Sequence, residues 1–262
     1  MIGKMFPAAL AAGCVLTLAS LPAWGQSGAG KGKPDIPRMA DGKPDLSGVW
    51  DHPRVGDITM NAGPGCSSAI KFTGCKNTGS GPLSFTPAAK DMFSHHEAET
   101  EKFDPGVYCM PWGYMRSWNT PSPAEIVQRP DKVVILFEQG TNFHIIFTDG
   151  RGHPKELTNL WFGHSIGKWE GDTLVVDTVG FNGKTWIDTA EHPSSDALHM
   201  VERYTRTDRQ TIAYEVTLED EKMYTKPIKN SRVLKLLPPG EELIEYFCEE
   251  NNLELFKAVG KK

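Results

Sequence analysis

The run Gly163-His164-Ser165-Ile166-Gly167-Lys168-Trp169-Glu170-Gly171-Asp172-Thr173-Leu174-Val175-Val176-Asp177-Thr178 constrains the fold most. It reads as two extended arms folded about a Glu170-Gly171-Asp172 turn. Gly171 supplies the positive φ that a tight hairpin needs. The run also carries His164, Lys168, Glu170 and Asp177, more polar chemistry than a purely structural hairpin requires.

A hairpin is marginal alone and needs further strands. From Pro123 onward the chain offers them, with strand patterns at 124–128, 133–138, 143–148, 160–169, 173–180, 198–207, 211–218, 231–237 and 243–248. Turn chemistry separates them: Arg129-Pro130-Asp131, Gln139-Gly140, Asp149-Gly150, Asp208-Arg209-Gln210 and Pro238-Pro239-Gly240. Consecutive, short-linked strands without crossover helices predict a mostly β protein, an antiparallel up-and-down barrel whose closure removes its edges.

Upstream, Leu46-Ser47-Gly48-Val49-Trp50 opens the fold, and the stretch to about residue 85 is rich in Gly, Pro, Ser and Asn. Thr86-Pro87 is a helix start, a capping residue followed by proline at the first helical position. That single helix is expected to run to about Phe103, before Asp104-Pro105-Gly106. Residues 108–123 read as a long aromatic loop with Tyr108, Trp112, Tyr114 and Trp118.

The first 25 residues have the pattern of a cleaved secretory signal peptide: Lys4, a small-residue apolar core, then Ala23-Trp24-Gly25. Ala11-Ala12-Gly13-Cys14 is a weaker lipoprotein-like alternative. Residues 26–45 are a Gly-, Lys- and Pro-rich flexible lead-in, 46–256 one β-barrel domain, and 257–262 a solvated tail. No later run is long and apolar enough for a transmembrane helix. These features predict a periplasmic or secreted protein with no membrane association after cleavage. The net charge of −5 is spread along the chain, with no basic cluster, so nucleic acid is not an expected partner. Oligomeric state is left open.

Four cysteines follow the cleavage point: Cys66, Cys75, Cys109 and Cys248. An oxidising compartment favours disulfides, and four cysteines allow three pairings. A local Cys66–Cys75 bridge across a Gly-rich loop is the simplest, leaving Cys109 for Cys248 in the last expected strand. Four free thiols are the alternative.

Two sets of residues carry a resemblance. Gly48-Val49-Trp50 at the head of the β pattern is similar to the Gly-x-Trp signature of lipocalin-type barrels, where the Trp packs across the closed end. The series Pro44-Asp45-Leu46-Ser47-Gly48-Val49-Trp50, Asp149-Gly150-Arg151-Gly152-His153-Pro154, the 163–172 run, Asp196-Ala197-Leu198-His199-Met200-Val201-Glu202-Arg203-Tyr204, Tyr224-Thr225-Lys226-Pro227 and Glu245-Tyr246-Phe247-Cys248-Glu249-Glu250-Asn251 spans nearly the whole mature chain. It resembles a family of exported bacterial lipocalin-like proteins with no established reaction. The resemblance implies a barrel and export, and implies no chemistry. A long insertion between Trp50 and Ala124 departs from an ordinary lipocalin.

Chemistry must be sought in polar groups. An imidazole beside a carboxylate is the smallest unit for proton transfer near neutrality. His164 with Asp177, and His199 with Glu202 or Asp196, are candidates for it. The 198–207 pattern does not reveal which face, His199-Val201-Arg203 or Met200-Glu202-Tyr204, is inside. Both histidines are expected to face the lumen, with His164, His199, Asp177 and Glu202 as catalytic residues. His153, Arg203, Tyr224 and Lys226 could contact or stabilise a ligand, and Trp112, Tyr114, Trp118 and Trp161 could cover a small aromatic one. Ser165 fits Gly-x-Ser-x-Gly by its letters, but a nucleophile elbow needs a helix after the turn, and a strand follows here. His153, His164, His192 and His199 have no compact metal-ligand spacing, so no metal is expected.

These residues predict a barrel binding a small organic molecule in its cavity, possible cofactor-independent acid–base chemistry of lyase, isomerase or hydrolase type, and no cofactor. A non-catalytic periplasmic carrier and an accessory module of another exported enzyme are the alternatives. The carrier lacks converging titratable groups; the module has a filled barrel and an exposed apolar patch.

Overall fold

The structure, a computed structural model, describes residues 35–61, 76–98, 104–140 and 142–251. Among these residues ten strands form, in chain order: β1 Gly48–Asp51, β2 Asn77–Thr78, β3 Ala124–Gln128, β4 Lys132–Phe137, β5 Asn142–Phe147, β6 His164–Glu170, β7 Thr173–Val179, β8 His199–Asp208, β9 Thr211–Glu219 and β10 Ile228–Leu236. β1 pairs with β3, each strand from β3 onward pairs with the next, and β10 returns to β1 through Trp50↔Leu236. Nine strands thus close a barrel, and β2 adds to β10 outside the ring.

The expected barrel is present, with one change of direction. A ring whose neighbours alternate direction needs an even number of strands. With nine, one neighbouring pair must run parallel, and it is β5–β6, through Ile146↔Ser165 and Phe147↔Ile166. The other ring pairings are antiparallel. The 148–163 connection therefore runs back along the barrel instead of turning tightly. It also delays β6, which begins at His164 where the sequence suggested 160; Gly163, at φ 66°, breaks the extended run before it.

The strand expected at 243–248 does not form. Residues 241–247 lack regular structure, and Cys248–Asn251 is a short helix, α3. Barrel closure explains this, since β10 is already paired with β9 and β1 and offers no free edge.

The expected helix is α1, Pro87–Ala98, capped by Thr86, whose Oγ1 accepts from the Ala89 N–H at 3.2 Å. The aromatic segment holds a 3₁₀ turn, Pro105–Tyr108, and a helix, α2, Tyr114–Asn119. Every residue of α2 is buried, and Trp118 is fully so. Its rings meet inward-facing side chains from several strands: Tyr114 stacks on His144 at 3.8 Å, and Trp118 packs against Phe137 and Tyr214 at 5.2 and 5.7 Å. Arg232 on β10 donates to the Trp118 carbonyl at 2.8 Å. α2 is thus part of the core, and the lumen expected to hold a ligand is filled by protein.

Two glycines are required where they stand. Gly171 has φ 60° and lets β6 turn into β7 with only two residues between Glu170 and Thr173. Gly48 has φ 135°, and a Cβ there would lie 2.5 Å from Leu236 Cδ1, across the β1–β10 seam. Trp50 is buried beside that seam; its Nε1 donates to the Leu46 carbonyl at 2.9 Å, and the Arg206 guanidinium lies 5.2 Å from its ring. The described end of the lead-in also contacts the barrel. Arg38 makes a two-pronged contact with Asp172 (2.9 and 2.8 Å), Gln128 donates to the Pro44 carbonyl at 3.1 Å, and Arg206 donates to that of Asp45.

Cys109 and Cys248 are bonded, with Cα atoms 5.5 Å apart and a sequence separation of 139. The bridge fixes the segment after β10 near the start of the 3₁₀–α2 region, and Cys248 enters it from α3, not from a strand. The other expected pair, Cys66 and Cys75, lies outside the described residues, as do residues 1–34 and 252–262. A bridge closing so long a loop restricts the unfolded chain strongly. Cys248→Ser is therefore expected to lower unfolding free energy by about 2–5 kcal/mol, measured by urea titration of oxidised wild type against the variant.

Candidate functional site

The strand period of two decides which polar groups meet. On β8, Met200, Glu202 and Tyr204 point into the barrel and are buried, while His199, Val201 and Arg203 point outward. On β7, Leu174, Val176 and Thr178 are inside and Asp177 is outside. On β6, Ser165 is inside and His164 is outside. His164 and His199 therefore lie on the outer wall, not in the lumen.

On that wall the register brings them together. Asp177 faces Val201 across the β7–β8 ladder, so His199 is its diagonal neighbour, and His199 faces Glu219 on β9. His199 Nε2 lies 3.1 Å from Asp177 Oδ2, and its Nδ1 3.5 Å from Glu219 Oε2. His153, carried by the long β5–β6 connection, brings Nε2 to 2.9 Å from Asp177 Oδ1 and Nδ1 to 2.8 Å from His164 Nδ1. One carboxylate thus holds two imidazoles, and a third is chained to the first.

Hydrogen-bond complementarity assigns the tautomers. An ionised Asp177 only accepts, so His153 and His199 each present Nε2–H to it. Neutral His153 then has a lone pair on Nδ1 and accepts from His164 Nδ1–H. His164 is left with its basic lone pair on Nε2. Burial pushes the Asp177 carboxyl up, but the hydrogen bonds from His199 and His153 outweigh it and hold the group below the ordinary carboxylate range. Burial lowers the pKa of His164, with help from nearby His153 and Arg151, so its neutral form persists into mild acid.

Two grooves flank the cluster. One, of about 740 Å³, is lined by Lys43, Arg151, His153, Lys168, Trp169 and Asp177. The other, of about 400 Å³, is lined by Phe143, Phe147, Leu160, Trp161, Phe162 and His164. The His153–His164 contact joins the polar groove to the aromatic one. Phe147 stacks on His164 at 5.6 Å on one side and lies 4.0 Å beneath the Arg151 guanidinium. Phe143 and Leu160 are exposed there.

The remaining candidates are dispersed. Glu202, paired with His199 on sequence grounds, sits on the opposite face of β8. Its Oε1 accepts from the hydroxyls of Tyr204, Tyr214 and Tyr114 at 2.7, 2.9 and 3.0 Å, all buried. Asp196 pairs instead with Lys222 at 2.5 Å. Tyr114 and Trp118 are core residues rather than a lid, because α2 enters the barrel. Trp112 lies beside Arg116 and Tyr246. Arg203 is outside but pairs with Glu170 at 3.1 Å. Tyr224 is buried and donates to the Pro193 carbonyl at 2.7 Å, and Lys226 is exposed in the β9–β10 connection. Of the expected ligand contacts, His153 and Trp161 line the grooves at the cluster.

The sequence missed two things. It did not identify His153 as the link between His164 and Asp177; the link depends on the parallel β5–β6 pairing, which local pattern does not encode. It did not single out His144, which is fully buried and places Nε2 2.7 Å from Ser165 Oγ. Ser165 also meets Thr178 Oγ1 at 2.6 Å. Burial pushes His144 down to about 3, and Ser165 is 1 % exposed. The pair is a weak base beside an inaccessible hydroxyl, so it reads as a packing contact.

No family model matches the chain, and no curated protein or solved structure matches it.

Glu202 generates a stability test. Burial raises its carboxyl to about 7, against the opposing tyrosine hydrogen bonds. An acid whose folded pKa is raised stabilises the fold relative to its ionised form below the unfolded value, and that advantage is lost as pH climbs through the folded value. Between pH 4.5 and 7 wild type is expected to lose up to about 3 kcal/mol relative to Glu202→Gln. Paired denaturant titrations across that window check it; a constant difference would mean Glu202 does not titrate there.

Proposed function

We propose that this is an exported, cofactor-independent acid–base enzyme of lyase, isomerase or hydrolase type, acting on a small aromatic compound with an anionic group. The site is the outer wall of the barrel at His153, His164, Asp177 and His199. The observation that carries this reading is the chain His164–His153–Asp177–His199, two imidazoles sharing one carboxylate between an aromatic groove and a charged one. A purely structural surface would gain little from ordering so many ionisable side chains.

The roles follow from the tautomers. His164 Nε2 is the base: as it takes a proton, His153 and Asp177 stabilise the imidazolium by orienting it and supplying negative charge. His199, with Nε2 on Asp177 and Nδ1 facing Glu219, is a positioning residue that orients the shared carboxylate from the other side. The Phe143–Phe147–Trp161 wall receives the aromatic body, and Lys43 and Lys168 attract the anionic group, Arg151 being taken by Asp149. The Cys109–Cys248 bridge and the N-terminal signal pattern support export.

A second reading has its own support. The filled lumen and the exposed Phe143 and Leu160 are what an accessory module docking on another exported protein would have. A carrier would use the same aromatic groove without turnover.

One experiment separates these readings. Small molecules copurifying with the protein are identified by mass spectrometry and offered back as substrates. The enzyme reading expects turnover, a fall of roughly 10²-fold or more for His164→Ala and for Asp177→Asn with the fold retained, and an acid limb of kcat/KM below the ordinary histidine value of 6.5. Binding without turnover leaves the carrier; capture of a protein and no small molecule leaves the module.

A further inference from the structure

A second group of ligating side chains lies away from the proposed site. Asp57 belongs to the loop after β1, and Asp188 and His192 to the long connection between β7 and β8. One oxygen of each carboxylate and one ring nitrogen all lie within 4.8 Å of one another. Asp188 is fully buried and His192 nearly so, while Asp57 is half-buried.

The framework is already in position. Asp188 Oδ2 accepts from the Ile58 N–H at 2.7 Å and meets His192 Nδ1 at 2.7 Å. Asp188 Oδ1 accepts from the Ala190 and His192 N–H groups at 3.1 and 3.4 Å. These bonds hold the carboxylate at the junction of the two loops. On the other loop, the Asp57 carboxylate is oriented by Thr59, whose N–H and hydroxyl reach Oδ1 at 2.8 and 2.6 Å. The His192 ring is fixed by stacking on Phe93 at 5.2 Å.

Among the described residues, neither carboxylate has a Lys or Arg ion pair, and the ionic partner of Asp188 is a histidine. Two carboxylates this close, one of them wholly buried, are costly without compensation. The field is felt nearby. Burial raises the Tyr224 hydroxyl, and the negative charges of Asp188 and Asp220 raise it further.

We propose that Asp57, Asp188 and His192 form a divalent-cation site that clamps the loop after β1 to the β7–β8 connection. Two carboxylate oxygens and one imidazole nitrogen suit Zn²⁺ or Mn²⁺ better than Ca²⁺, which prefers six or more oxygens. The cation takes the place of the proton between His192 Nδ1 and Asp188 Oδ2, which passes to solvent or to Nε2, and water completes its shell. The role is structural and independent of the chemistry assigned to the outer wall.

The test uses the full oxidised protein stripped with chelator and titrated with Zn²⁺, Mn²⁺ and Ca²⁺. Calorimetry is expected to give one equivalent of Zn²⁺ or Mn²⁺, and the melting midpoint to rise by about 5 °C or more at a hundredfold excess over Kd. Asp57→Asn keeps an oxygen for Thr59, so it should fold and melt like the metal-free wild type while losing the cation-dependent rise. His153→Ala, at the other histidine cluster, should retain it. No midpoint shift in wild type, a shift that survives Asp57→Asn, or one that disappears in His153→Ala would overturn the assignment.

Discussion

The hydrogen bonds between β10 and β1 are the constraint on which the rest depends. They join the last strand to the first and make a ring of nine. An odd ring must hold a parallel pair, and a parallel pair cannot be joined by a tight turn. The 148–163 connection therefore runs back along the barrel and delivers His153 to the wall where β6, β7 and β8 present His164, Asp177 and His199. Closure also leaves the segment after β10 without a strand to join, so a covalent bond between Cys248 and Cys109 holds it to the body.

The barrel separates its polar chemistry by face. Inside, Glu202 is surrounded by three tyrosine hydroxyls, and Arg232 with Asn230 lies in the same core. That network sits where a ligand cavity was expected, and its groups are shielded from any substrate. Burial pushes Glu202 toward its neutral form and lowers the pKa of Arg232, as the low dielectric of a packed lumen requires. Outside, the carboxylate and imidazoles are half-exposed, with side-chain accessibilities of 21 % for His153, 42 % for Asp177 and 36 % for His199. They are ordered by one another and remain reachable. Ordered yet accessible ionisable groups are the combination that acid–base chemistry needs.

Much of the fold was legible in the sequence because it rests on local rules. Period-two patterns and turn residues marked eight of the ring strands from Ala124 to Leu236, Thr86-Pro87 marked α1, and Glu170-Gly171-Asp172 marked the central hairpin. An even cysteine count made Cys109–Cys248 one of the possible pairings. His164, Asp177 and His199 were legible as candidates because an imidazole near a carboxylate is the smallest unit for proton transfer near neutrality.

Tertiary structure alone decided the rest. The polarity of β8 is nearly balanced, with Glu202 and Tyr204 on one face and His199 and Arg203 on the other, so alternation could not say which was inside; three tyrosines and α2 converging on Glu202 settle it. The parallel pair follows from the strand number, which is known only once the ring closes. Tyr114 and Trp118 resembled a lid because aromatic residues in an irregular stretch look alike whether they cover a pocket or fill a core. The sequence by itself determined eight strands from Ala124 to Leu236 and the chemistry they carry; packing decided that 243–248 forms no strand, which face that chemistry occupies and which partners it meets, because these depend on contacts between residues far apart in the chain.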